Sequence, residues 1–274
     1  MSYQVISYIN TEKELPTDEK RLSICHKSNG FSFAVTTTQG FLVKSGDVSY
    51  EGTTMSDLMG TIRGVVADCE LPTIGVAALE LVIPTQQFVL VPEHLYEAEN
   101  DRRYLETVCR VEPGATLCSD YIEQLKAWSV FEADNTVLSA YRITLPGIKV
   151  RCQFAKLASA DLLAKSANGE LIAVNMRPKA ADIVVMKNGT LQLANTYVCN
   201  DFSDALYFAL DIVNKEGLDA GRLQMLLSGE VTLANYNLMR HYFADVKLNN
   251  GRELRYLNAE FQHLHSYRYV MVLN

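Results

Sequence analysis

The chain has 274 residues, 48% of them hydrophobic and 21% charged. This globular balance excludes disorder across the whole length and allows one large domain or two of middling size. The net charge of −7 argues against nucleic-acid binding, which needs a surplus of Lys and Arg on one face. The first 154 residues hold 13 basic and 20 acidic side chains, so the acidic excess lies in the first half and predicts two units with different surfaces.

Residues 1–20 contain no basic stretch followed by an apolar core, so no secretory signal is expected. No run of 18 apolar residues is present to span a bilayer. Thr11 to Lys20 is polar and contains Pro16, which predicts an N-terminal tail over residues 1–20. Leu22 to Cys25, Phe31 to Val35 and Phe41 to Val43 read as three strands. They are joined at Ser28-Asn29-Gly30 and Gln39-Gly40, turn signals that predict an antiparallel meander. A helix follows from Ser56-Asp57, with Leu58, Ile62, Val65 and Val66 on one face. Val76 to Leu81 then returns as a strand.

Phe88 to Val91 reads as a strand, Pro92 to Val108 as a helix, and Ile122 to Phe131 as a strand in its first part. Val137 to Ile143 reads as a helix, Ile148 to Phe154 as a strand, and Ala158 to Ser166 as a helix ending at Asn168-Gly169. From Glu170 the opening order of elements returns. Strands at Leu171–Val174, Ile183–Met186 and Leu191–Ala194 precede a helix opened by Ser203-Asp204 and a strand at Leu223–Leu227. Gly40 and Gly189, Ser56 and Ser203, and Gly75 and Gly221 are separated by nearly the same interval. That interval points to a duplication, with halves at 21–168 and 169–274.

Three antiparallel strands followed by helix-linked strands is the layout of a ribonuclease-H-like unit, and two such units give an actin-like ATPase architecture. Leu22-Ser23-Ile24 with Asn29-Gly30-Phe31-Ser32-Phe33 resembles the opening of a bacterial domain-of-unknown-function family with an actin-like ATPase fold. The layout is more distantly similar to actin-like proteins of cell division and type IV pilus assembly, which work partly as scaffolds. The resemblance implies the fold and carries no assigned activity.

In such ATPases the first hairpin of each half bends around the nucleotide phosphates, with backbone N–H groups for phosphate and carboxylates for hydrated Mg²⁺. Here Cys25 to Gly30 offers one glycine and no carboxylate. Asn175 to Asp182 places Asn175 where an Asp is expected, and Pro178 removes a donor. Asp182 is the nearest acid. The later loop Leu226 to Glu230 keeps one glycine, Gly229. Asn29, Gly30, Asn175, Arg177, Lys179 and Gly229 are therefore the candidate residues of a degenerate nucleotide cleft, with Arg177 and Lys179 as candidate anion binders. No catalytic residue and no metal ligand is assigned.

Other motifs are weaker. His263-Leu264-His265 and His94-Leu95-Tyr96-Glu97 are conceivable metal fragments without completing ligands, and Trp128 is expected to pack on a sheet. The six cysteines, Cys25, Cys69, Cys109, Cys118, Cys152 and Cys199, form no C-x-x-C pair. They predict reduced thiols in a cytoplasmic protein. The leading expectation is a non-catalytic scaffold that binds an unidentified protein partner and needs no cofactor. The alternatives are a nucleotide-binding regulator or weak ATPase using ATP and Mg²⁺, and a sugar-kinase-like enzyme.

Overall fold

The computed structural model describes residues 3–9, 19–251 and 265–274. The chain opens with β1 (Tyr3–Ile9), β2 (Lys20–Lys27), β3 (Gly30–Thr37), β4 (Leu42–Tyr50), α1 (Met55–Asp68) and β5 (Ala78–Ile83). An inserted section holds β6 (Phe88–Pro92), α2 (Asp101–Glu106), β7 (Thr116–Ile122) and β8 (Ala127–Ala133), and α3 (Asn135–Thr144) after it packs on α1. Then follow β9 (Lys149–Cys152), α4 (Gln153–Leu157) and α5 (Ala160–Lys165). The second half comprises β10 (Glu170–Arg177), β11 (Ala180–Lys187), β12 (Thr190–Val198), α6 (Phe202–Lys215), β13 (Gln224–Gly229), α7 (Leu233–Arg240), β14 (Asp245–Leu248) and α8 (Val270–Leu273).

The first sheet runs β1-β4-β3-β2-β5-β9 and the second β12-β11-β10-β13-β14. Without β1 the two orders are the same. In each half two hairpins make the antiparallel part, and the fourth and fifth strands join in parallel. The repeat extends to irregularities. The Gln39-Gly40 and Asn188-Gly189 turns connect equivalent strands, and each lies beside a register shift, at Val35/Thr36 and at Val185/Met186. Asn188 and Gly189 have φ values of 49° and 72°, the pair of positive angles that a type I′ turn requires.

Packing explains why the inner strands are continuously apolar. Every residue of β3 is buried, as expected for a strand covered on both faces. In β10 the period of two separates two cores. Leu171 and Ala173 join the first sheet's core, whereas Ile172 and Val174 pack with Ala205, Ala209 and Ile212 of α6. The main helices are anchored by their caps. Thr54 and Asp57 form a capping box at α1, and Asp201 accepts from Ser203 N at α6, each cap worth about 1 kcal/mol.

Several details differ from the sequence reading. Part of the supposed tail is the edge strand β1, paired with β4. The helix starts shift from Ser56 and Ser203 to caps at Thr54 and Asp201, which keeps the offset between halves. Pro92 to Val108 is broken into two short 3-10 turns, Glu93–Leu95 and Ala98–Asn100, and a helix at Asp101–Glu106. The segment Ile122 to Phe131, read as a strand in its first part, contains a reversal: Lys126 adopts φ 47° and separates β7 from β8. These two strands and β6 make a third, antiparallel sheet in the order β6-β8-β7, on which Trp128 stacks with Tyr96 at 4.4 Å. Finally, α8 leaves the second half and packs on β2, β3 and α4.

Candidate functional site

The first hairpin of each half faces one central cleft of about 280 Å³. Its lining comes from the β2–β3 hairpin (Cys25 to Ser28 and Ser32), the end of β10 with its turn (Asn175 to Pro178), and Gly229-Glu230 after β13. Pro84 closes one side, and Arg268 and Met271 enter from the C-terminal segment. Of the sequence candidates, Asn175, Arg177 and Gly229 line this cleft. Asn29, Gly30 and Lys179 are not among its lining residues.

Two glycines are required by close backbone approach. A Cβ on Gly30 would lie 1.8 Å from Val48 O, and one on Gly229 would lie 2.0 Å from Met176 O. Gly229 also sits at φ 81°, and the next residue's N–H donates to Met176 O at 2.9 Å. Gly229 thus ties the end of β13 to β10. Lys179 is an exposed turn residue at φ 58°.

Arg177 is engaged within the chain. Its Nε donates to Asp182 Oδ2 at 2.7 Å and its Nη2 to Asp182 Oδ1 at 2.8 Å, a two-point fork that suits guanidinium and carboxylate geometry. Asp182 lies inside β11, wholly buried, and also accepts from Thr196 Oγ1 at 2.7 Å and Asn175 Nδ2 at 3.2 Å. Ser228 Oγ donates to Asn175 Oδ1 at 3.0 Å. Burial works to lower the Arg177 pKa, but the hydrogen bonds and charge of Asp182 prevail and raise it. The guanidinium expected to receive an anion is therefore already neutralised, and the acid expected near the site is saturated with donors.

The network continues across the halves. Gln153, fully buried in α4, donates through Nε2 to Thr85 O at 2.6 Å and to Thr196 Oγ1 at 3.2 Å. On the other wall Lys27 pairs with Asp47 at 2.5 Å. Burial lowers the His26 pKa to about 4, against a weaker opposing pull from Asp134, so its imidazole is neutral at pH 7. Cys25 is inert as a nucleophile, because burial pushes its thiol up to about 12.

Sequence reasoning missed Thr196, Gln153, Arg268 and Met271. Thr196 and Gln153 lie in no motif. The only signal for the last two was the apolar run Tyr269 to Leu273, which is buried throughout. All six cysteines are free. His94 and Glu97 are exposed, and the His263-His265 pair falls partly outside the described residues. Among the described residues no three His, Cys, Asp or Glu side chains converge as a metal-binding group. No helix in them is long and apolar enough to cross a membrane.

Comparison with known proteins supports the same architecture. A Bacteroides thetaiotaomicron protein with an actin-like ATPase fold and unknown function is 19% identical, with a TM-score of 0.70 over 90% of this chain and 95% of that one. The PilM-PilN type IV pilus biogenesis complex matches at 10% identity and a TM-score of 0.60, over 92% of this chain and 96% of the matched one. A search of curated proteins finds no match. The model of a family described as "Protein of unknown function (DUF3822)" matches residues 10–246. With two ribonuclease-H-like sheets around one cleft and a family match over most of its length, the chain belongs to the DUF3822 family and has an actin-like ATPase fold.

Proposed function

We propose that this protein is a non-catalytic, partner-binding module of the cytoplasm, whose cleft is occupied by its own side chains instead of Mg·ATP. The Arg177–Asp182 fork carries this reading. Arg177 and the wholly buried carboxylate of Asp182 satisfy each other, so neither is free for phosphate or metal. The remaining donors do not suit Mg²⁺, which prefers several oxygen ligands in octahedral geometry. Glu230 is the one carboxylate among the lining residues, and it is exposed. The cleft volume also falls just below the roughly 300–1,000 Å³ of small-molecule sites. The partner-binding half of the reading draws support from the PilM–PilN neighbour, itself a complex of two proteins.

Phosphate release and ATP-induced thermal shift, each with and without Mg²⁺, test the proposal. Wild type and Asn175→Asp should show no turnover. Magnesium-dependent turnover in wild type, lost in Glu230→Gln, would overturn it. One observation favours a second reading, a nucleotide-responsive regulator. Arg268 is exposed on the cleft lining and has no ion pair among the described residues. A magnesium-independent thermal shift with ATP, absent in Arg268→Ala, would select that reading.

A further inference from the structure

A second concavity lies away from the cleft, between the inserted sheet and the second half. Two cavities of about 360 and 580 Å³ share Leu90 and Leu191 and so form one trench. One wall follows the chain from Gln86 to Pro92, and the other runs from Gly189 to Asn195. Among the described residues both walls are open strand edges, because β6 ends the three-stranded sheet and β12 ends the five-stranded one. At about 3.3 Å per residue, seven residues of wall make a trench roughly 23 Å long.

Its chemistry is selective. No lining side chain is charged, although 21% of the chain is. Val108 stands 59% exposed at the trench, and Leu90, Leu191 and Leu193 are half-buried. Proteins usually protect long edges with Lys, Pro or inward charges, yet the nine residues of β12, TLQLANTYV, include neither proline nor charge. An occupant must therefore bring unpaired main-chain N–H and C=O groups in extended form, with uncharged side chains. A nucleic acid meets neither requirement, and a strongly charged peptide fails the second.

We propose that the trench receives an extended, uncharged segment of a partner protein, added as a strand to the open edge of β12. Main-chain hydrogen bonds would supply affinity, and alternate side chains would fill the Leu90–Leu191 and Val108–Leu193 ends. The assignment deepens the partner-binding reading and rests on it, but it uses no residue of the cleft.

The probe is a library of seven-residue peptides displayed on phage, selected on the intact protein. Enriched peptides should lack charged residues at their central positions and should bind at micromolar Kd. Methylation of alternate peptide nitrogens should abolish binding, and amide exchange should slow within residues 190–195. The Gln87→Glu/Val108→Glu double variant changes two exposed side chains, so it should keep the wild-type thermal midpoint while weakening binding at least tenfold. No enrichment, binding indifferent to methylation or to the double variant, or protection confined to another surface would each overturn the proposal. A dimer of this chain that the double variant dissociates would also overturn it, by assigning the trench to a second copy. Phosphate release measured on the same preparation separates the two readings. Turnover would sink the non-catalytic function and leave the trench intact, whereas trench failure without turnover would leave that function standing.

Discussion

Replacing Arg177 by methionine keeps most of the side-chain stem and removes the guanidinium. Asp182 then retains its charge in a site with no solvent exposure, held only by Thr196 Oγ1 and Asn175 Nδ2. Removing one partner of a buried ion pair costs about 3–5 kcal/mol. The two surviving hydrogen bonds to the carboxylate place Arg177→Met near the lower end, about 3 kcal/mol. For a protein of this size that corresponds to a fall in Tm of roughly 6 °C or more. Urea denaturation followed by far-ultraviolet circular dichroism measures the loss. The double variant Arg177→Met/Asp182→Asn removes the stranded charge and should recover most of it. A single variant within about 0.5 kcal/mol of wild type, below the range for a buried pair, would refute the account. So would a double variant no more stable than the single one.

Gly229→Ala should cost about 3 kcal/mol or more by adding a backbone clash to left-handed strain. Gly40→Ala, at φ 86° with nothing within 4 Å of the new Cβ, should cost only about 1–2 kcal/mol, and equal losses in chemical denaturation would contradict the close-approach argument. Burial lowers the His26 pKa to about 4 from the ordinary 6.5, so the unfolded chain binds the extra proton. Stability should therefore decline as pH falls from about 6.5 towards 4, by at most roughly 3 kcal/mol; a stability–pH profile that His26→Gln fails to flatten would rule this out. Thiol titration under denaturing, non-reducing conditions should find all six cysteines free, and two or fewer would overturn the reduced-thiol reading.

The sequence exposed those parts of the fold in which local chemistry repeats. The Gly40 and Gly189 turns mark the same hairpin in each half, and the apolar runs at Leu22 and Leu171 mark the central strands. It hid the inserted sheet, because the segment Ile122 to Phe131 has no glycine or proline at the reversal. The chain turns there through Lys126 at φ 47°, which no residue preference announces. The candidate site was legible as a location and misleading as chemistry. Asn175, Arg177 and Gly229 do meet in the cleft, but an arginine that looks available for an anion is taken by an aspartate five residues later. Hairpin register makes that pairing. Asn175 stands opposite Asp182, and Arg177 is two residues along the same strand, within reach of both carboxylate oxygens.

The two walls of the cleft handle their charge unequally, and this sets which side can change. Lys27 and Asp47 are 30% and 36% exposed, so their pairing is worth about 0–1 kcal/mol and weakens with salt. Arg177 is 20% exposed and Asp182 not at all, so that pair is screened far less. Rising ionic strength should therefore release the lysine of the first hairpin while the fork in the second remains closed. A cleft altered in this way gains one loose ammonium and, on β4, the single carboxylate of Asp47, while Asp182 stays saturated, so no cluster of oxygen ligands forms for Mg²⁺. The asymmetry thus allows weak, salt-sensitive anion contact at the first hairpin without restoring magnesium placement. Nucleotide affinity, if measured, should accordingly depend on Lys27 and ionic strength and remain indifferent to Mg²⁺. An affinity enhanced by Mg²⁺ and lost in Glu230→Gln would show that the exposed carboxylate of Glu230 places the ion without Asp182, and would overturn this account.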